Sequence, residues 1–490
     1  MTFCGDMLWL LIVLPAIGAA LGLIMPSPRA AIRSVAIGVP VVAAVAAWAV
    51  VTVMRGGPLL SAGEWLHLDA LAGYHVVVMM IVFVMSSLYA VPYFSHEPAG
   101  HELDLPAARR FAALWYGALA AMTLVMLSNN LGVMWVGVEA TTLLTAFLIC
   151  LRVSPSSLEA TWKYLIVCSV GVAFAFMGVL LVAASAGHAA ATDVHLLHWT
   201  HLQQIVKTLD PRLLKLAFIF IIVGYGTKAG LAPMHSWLPD AHSQAPAPVS
   251  AIFSGFMLNT ALYCIMRYMP MVDAAWARNL LIVFGLVSII IAAVFILAQH
   301  DLKRLLAYCS VEHLGIIALG LGLGPLGAFA ALFHTLNHSV CKALSFFCAG
   351  RIGQACGTHD MREIRGSIRL SRLWGTGLFI SMLALIGVAP FAIFMSELLV
   401  LKAMIETHGY ISMAVFLLGT ATVFVAVLRY AMNMAWGTGT APRKDEPGSL
   451  LEWLVVVAPL ALLLTLGLWM PASFRHVLEA AASIAAGRAP

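Results

Sequence analysis

The chain has 490 residues, of which 62% are hydrophobic and only 10% charged, and its mean hydropathy is +0.96. A soluble protein carries about 25% charged residues, so this composition excludes a water-soluble domain and points to an all-α polytopic membrane protein. The net charge of +5 comes from basic residues spread over many loops, which is not a nucleic-acid-binding pattern.

Apolar runs long enough to span a bilayer recur from end to end, about fourteen in all. They cover 7–25, 32–54, 74–94, 110–128, 131–151, 161–186, 213–234, 246–269, 277–298, 303–323, 326–350, 374–402, 410–435 and 450–470, with a tight turn expected at Asn129–Asn130. The first run has no small-residue cleavage site after it and reads as a retained helix. Loops after odd-numbered spans hold Arg29, Arg33, Arg109, Arg110, Arg152, Lys303, Arg304, the cluster Arg351, Arg362, Arg365, Arg369 and Arg372, then Arg443 and Lys444. The opposite loops hold fewer, chiefly Lys207, Arg212, Lys215, Arg267 and Arg278. The positive-inside rule then places the odd loops in the cytoplasm and both termini on the non-cytoplasmic side of the membrane.

Two spans are interrupted. In the seventh, Lys228 is followed by Gly230 and Pro233; in the twelfth, Pro390 is followed by Glu397. A charge at a helix centre costs roughly 2.5–3.5 kcal/mol on insertion scales, and a broken helix is tolerated at depth only inside protein or beside a wet cavity. The two breaks stand five spans apart, and a repeat of odd length must be inverted in the membrane. The expected organisation is an N-terminal three-helix segment (1–109), a first five-helix repeat (110–270), an inverted second repeat (271–440) and a C-terminal helix and tail (441–490).

Further ionisable groups lie inside spans. Glu139 is mid-span in LGVMWVGVEATTLLTAFLI, and Lys163 opens the next helix. His334, His338 and Lys342 follow one another at four-residue spacing and share a helix face about 80° wide. Glu312 and His313 are in the tenth span, and Glu397 closes the series. Proton transfer needs groups that exchange near neutral pH within hydrogen-bond or one-water reach of each other. An opposite charge nearby moves a pKa by about 1–3 units, roughly 1.4–4 kcal/mol, against about 2.3 kcal/mol to move one charge through 100 mV. Making and breaking a Glu139–Lys228 pair is thus the right size to drive one proton, although such a pair also locks two helices together. Lys163 lies near a predicted membrane edge, where a lysine also snorkels. His235, Asp240 and His242, after the seventh span, serve either as a gate or relay or as hydrogen-bonding groups of a tight turn. Arg429 reads as structural.

The eight cysteines fall mostly inside spans, no two are spaced as CxxC, and no GxGxxG or Walker loop occurs. The chain shows no cofactor or metal site of its own and no catalytic residue of redox chemistry.

The stretch GTKAGLAPMHSWLPDAHSQAPAPVSA closely resembles the signature of the antiporter-like membrane subunits of respiratory complex I, multisubunit sodium/proton antiporters and group 4 hydrogenases. The resemblance covers nearly the whole chain. It implies fourteen helices with two inverted five-helix repeats, and a proton-transfer role for Glu139, Lys163, Lys228, His334, His338, Lys342 and Glu397. Within the family, VGVEATTLLTAFLI and the chain length resemble the component F branch of hydrogenase-4 and formate hydrogenlyase-type complexes most. Asn259 stands where complex I members often carry a lysine, and the long lateral helix of the largest complex I member is missing. The function implied is a proton-translocating, non-redox membrane subunit of a redox-driven complex. Its partners would be other membrane subunits, antiporter-like paralogues among them, with a soluble nickel–iron hydrogenase or other redox arm further off. A cation/proton antiporter subunit, a subunit energising inorganic-carbon uptake and a structural anchor are the alternatives.

Overall fold

A computed structural model describes residues 7–61, 63–97, 102–187, 195–438 and 448–487. Arg443, Lys444 and Cys4 lie outside the described residues. The chain is almost wholly helical, with α1 (Met7–Leu23), α2 (Pro28–Gly56), α3 (Ala70–Ser95), α4 (Leu105–Leu127), α5 (Leu131–Ile149) and α6 (Pro155–Ser185) in succession. A short α7 (Trp199–Ile205) precedes α8 (Pro211–Ala229) and α9 (Trp237–Gln244). Next come α10 (Ala247–Met271), α11 (Ala274–Ile296), α12 (Leu302–Gly322), α13 (Gly324–Cys356), α14 (Arg372–Leu385), α15 (Ala392–Glu406), α16 (Tyr410–Trp436), α17 (Leu450–Leu468) and α18 (Ala472–Ala485). Ten of these are long and apolar enough to cross a membrane by length and composition, and α14 and most of α1 are shorter apolar helices. The chain is a multi-pass membrane-embedded protein.

Local chemistry sets the boundaries. Ser154 accepts from the Ser157 amide in a capping box with Pro155 in the first turn, so α6 starts six residues before the predicted 161 and Lys163 lies well inside it. Asp104, Asp210 and Asp301 cap α4, α8 and α12 with side-chain oxygens that accept from first-turn amides. Asn130 caps α5 through the amides of Gly132 and Val133 and makes the turn after α4. Two features were not legible as apolar runs: a hairpin of β1 (Leu59–Ser61) and β2 (Leu66–Leu68), and the amphipathic α18.

Burial divides the helices into a centre and a shell. The membrane windows of α10 and α12 are entirely buried, and α13 is buried almost without interruption from Gly327 to Gly350. Around them α2, α16 and α17 keep only about a third of their windows covered and turn residues such as Leu418 and Val425 outward. Such faces are stable against lipid tails and not against water. Small residues let central pairs approach closely. A Cβ on Gly224 of α8 would meet the Ala175 amide of α6 at 2.4 Å, and one on Gly285 of α11 would meet Gly315 O of α12 at 2.6 Å.

Both interruptions are chain breaks within the fold. Gly230 caps α8 in the left-handed region (φ 78°), and α9 resumes at Trp237; Gly387 (φ 71°) follows α14, and α15 resumes at Ala392. The opened backbone is satisfied locally. Leu231 N donates to Gly226 O, and Ala232 N donates to Ser288 Oγ of α11.

Candidate proton-transfer site

Lys228, in the last turn of α8, is 1% exposed, so it faces protein and not lipid. Its ammonium donates to Thr142 Oγ1 of α5 at 2.9 Å and to Tyr164 OH of α6 at 2.6 Å, and lies 4.7 Å over the tyrosine ring. Thr145 donates to Thr141 O, so its oxygen accepts from the Tyr164 hydroxyl at 2.6 Å. Glu139 sits one turn before Thr142 on α5. Ser169 of α6 donates to its Oε1 at 2.8 Å, while its Oε2 is buried without a protein partner. Among the described residues no ion pair joins Glu139 to Lys228. The two meet at one three-helix junction, with hydroxyls between them.

A second cluster lies where α12, α13 and α15 meet. His313 Nδ1 is 2.9 Å from His334 Nε2, and His334 Nδ1 is 2.8 Å from Ser396 Oγ. Ser396 donates to the Ile393 carbonyl, which can only accept. The serine oxygen therefore accepts from His334 Nδ1–H, which leaves His334 Nε2 as acceptor for His313 Nδ1–H. The free lone pair is then on His313 Nε2, a buried atom with no protein partner. A proton taken up there can leave through the second ring. Glu397 completes the group, with a carboxylate oxygen and the two imidazoles all within 4.8 Å of one another. Those three side chains could hold a metal ion, yet the two rings already satisfy each other through a shared proton. The His338 ring lies 5.1 Å from His313 with both nitrogens unpartnered, and Lys342 donates to Leu306 O at 2.5 Å. Glu312 is buried beside them within electrostatic reach of Glu397 and Lys342. Glu397 follows its helix break, whereas Lys228 precedes its own, so the two charged breaks are not equivalent in register.

Between the clusters stands His242 of α9, fully buried, both ring nitrogens unpartnered, stacked on Phe346 at 5.1 Å and edge-on to Phe253 at 6.1 Å. Phe253 in turn lies 6.1 Å from Tyr164. Asn259 of α10 donates to Ser339 of α13 at 3.1 Å and keeps a buried, unpartnered Oδ1. His235, in the break, is set among Phe295 and Tyr308. Lys163 is half-exposed and stands apart from the Lys228 junction. It pairs with Glu159 at 2.7 Å and Asp240 at 3.0 Å, and the other oxygen of Asp240 holds Arg304 at 2.9 Å. Asp240 thus ties α6, α9 and α12 together. The residues missed from sequence are the hydroxyls: Thr142, Thr145, Tyr164, Ser169 and Ser396. The polar density of EATTLLT was the one signal available for the first two.

A helical bundle with two broken helices and a buried series of carboxylate, amine and imidazole groups is the architecture of an ion-translocating membrane protein. Residues 128–424 match the family model described as NADH:quinone oxidoreductase/Mrp antiporter, transmembrane region. The chain belongs to this family, as an antiporter-like, proton-translocating subunit of the complex I, Mrp and group 4 hydrogenase group. It is 34% identical over 414 residues to the hydrogenase-4 component F homolog of Methylacidiphilum infernorum (isolate V4), covering 84% of this chain and 86% of that protein. It also superimposes on a chain of the archaeal membrane-bound sulfane sulfur reductase (TM-score 0.87, 24% identity, 98% of this chain and 97% of that one). A chain of the Mrp complex from Dietzia sp. DQ12-45-1b gives a TM-score of 0.84 at 20% identity, covering 99% and 97%. These two structural likenesses establish the fold.

Proposed function

We propose that this chain is the proton-translocating subunit of a redox-driven membrane complex of the group 4, hydrogenase-4 type. The observation that carries the reading is the buried series itself: Lys228 held between two hydroxyls, His242 and Asn259 at mid-chain, then Lys342, His338 and the His313–His334 pair, which ends at the half-buried Glu397. Glu139 and Lys228 act as the switch. Protonation of Glu139 weakens its hold on the lysine charge across the Thr142 and Tyr164 hydroxyls, and Lys228 then releases its proton toward His242. Lys163, tied to Asp240, gates the approach to the junction, and His235 lines it. Glu397 passes the proton out of the second cluster. The hydrogenase assignment rests on the similarity to a component F homolog. The redox centres would sit on partner subunits, with antiporter-like paralogues as membrane neighbours.

We propose two inverted five-helix units, one from α4 to α10 and one from α11 to α16, with 1–109 and 441–490 flanking them. The recurrence of Gly-x-Ala-Pro at both breaks, Gly230–Pro233 and Gly387–Pro390, supports that division. We propose also that the loops after odd-numbered spans face the cytoplasm.

Purification of the native complex from the source membranes, with identification of every co-purifying subunit, tests the assignment. A nickel–iron hydrogenase large subunit is expected. A set of small antiporter subunits without a redox arm would move the function to cation/proton exchange, and a large zinc-binding soluble partner would move it to inorganic-carbon uptake.

A further inference from the structure

A cavity of about 370 Å³ opens at the edge of the bundle, far in sequence from the breaks. One wall is a single face of α16, where Ala426, Arg429, Tyr430 and Asn433 follow at helical spacing. The opposite walls bring in His300 from the link between α11 and α12 and Arg362 and Arg365 from the segment before α14. Three guanidiniums and an imidazole therefore face one small space.

The acids do not use up this charge. Asp360 pairs with Arg362 at 2.6 Å. Arg365 gives backbone only Nε, to Arg362 O, and one Nη1 hydrogen, to Asn433 O, which leaves its Nη2 donors for a ligand. Arg429 is exposed and makes no hydrogen bond or ion pair with any described residue. The carbonyl end of α11, which would repel an anion, is covered: Tyr430 OH donates to Leu297 O at 3.0 Å and Gln299 Nε2 to Phe295 O at 2.9 Å.

Position decides the ligand. Arg429 lies seven residues, about 10 Å, from the end of its helix, where the exposed Trp436 marks the interface between lipid and water. From about 10 Å inside that level an arginine side chain snorkels outward, so its unpartnered guanidinium meets headgroup phosphodiesters. We propose that this cavity binds the anionic headgroup of a phospholipid, with Arg429 and Arg365 on the phosphate and Arg362 and His300 at its rim. The site is separate from the proton path and does not depend on it.

The clean variant is Arg429→Gln, which breaks no contact within the protein. The complex is delipidated in mild detergent, placed in phosphatidylcholine nanodiscs with increasing phosphatidylglycerol, and its retained lipid read by native mass spectrometry. Wild type should hold phosphatidylglycerol in preference to phosphatidylcholine. Arg429→Gln should weaken that retention by about tenfold, the loss of one charge-assisted hydrogen bond. Arg369→Gln, an equal charge loss on the segment that carries Arg362 and Arg365 but outside the cavity, should leave it unchanged. Equal retention by Arg429→Gln and wild type would overturn the site. Full displacement of the lipid by millimolar inorganic phosphate would overturn its assignment to lipid and give the cavity to a soluble anion.

Discussion

At the scale of the residue, the hydroxyls hold the charged groups in working geometry. Tyr164 touches the Lys228 ammonium with its oxygen and its ring at once, and hands its own proton to Thr145. Tyr164→Phe keeps the ring and removes one hydrogen bond to a charge, worth about 1.5–3 kcal/mol when made to an ionised group. Proton uptake into reconstituted vesicles should fall by roughly ten- to a hundredfold if that energy falls on the barrier, with assembly unchanged. Ser396 fixes which nitrogen of His334 carries the proton, and so, in the proposed path, which way the His313–His334 pair would pass one on. Ser396→Ala should slow translocation by about tenfold while Ser396→Thr restores it; equal rates in all three would show that the tautomer does not matter. Sequence spacing identified the ionisable members of these clusters but not their hydroxyl partners. A serine or threonine in a span bonds its own preceding turn, as Thr145 and Ser396 do, and nothing local says which helix it will meet.

At the scale of the element, the two breaks do different work. Gly230 ends α8 just past Lys228, so the amine sits at the carbonyl end of a helix. Gly387 instead lies under Glu397: a Cβ there would come within 2.3 Å of Glu397 Oε2. Its φ of 71° is also in the left-handed region that favours glycine. Gly387→Ala should therefore destabilise the protein by about 1–3 kcal/mol and push Glu397 off the His313–His334 pair. A lowered melting temperature together with impaired translocation checks this. An active, fully stable variant would show that Glu397 need not stand where it does. Both breaks were legible as glycine and proline beside a charge. The order was legible too, with Lys228 before its Gly230 and Glu397 after its Pro390; where each helix resumes, at Trp237 and at Ala392, was not. The hairpin at Leu59–Leu68 escaped for another reason: strands of three residues leave too short an alternation to read.

At the scale of the whole molecule, apolar length announced a membrane protein, and the central burial of α10, α12 and α13 could not be read from it, since buried and lipid-facing helices are equally apolar. The proposed orientation rests on loop charge. Cysteines introduced at Arg212 and at Arg369 should react with an impermeant maleimide from opposite sides of the membrane, Arg369 from the cytoplasm; labelling from the same side would contradict the arrangement. The central claim is that protons move through the buried series, and Lys228 is the group on which both halves depend. The most direct measurement is proton translocation by the purified complex in sealed vesicles with Lys228→Met, which keeps roughly the volume of the side chain and removes its charge. The account predicts an assembled complex that retains its redox activity and translocates no protons through this subunit. Wild-type proton movement by that variant would contradict it.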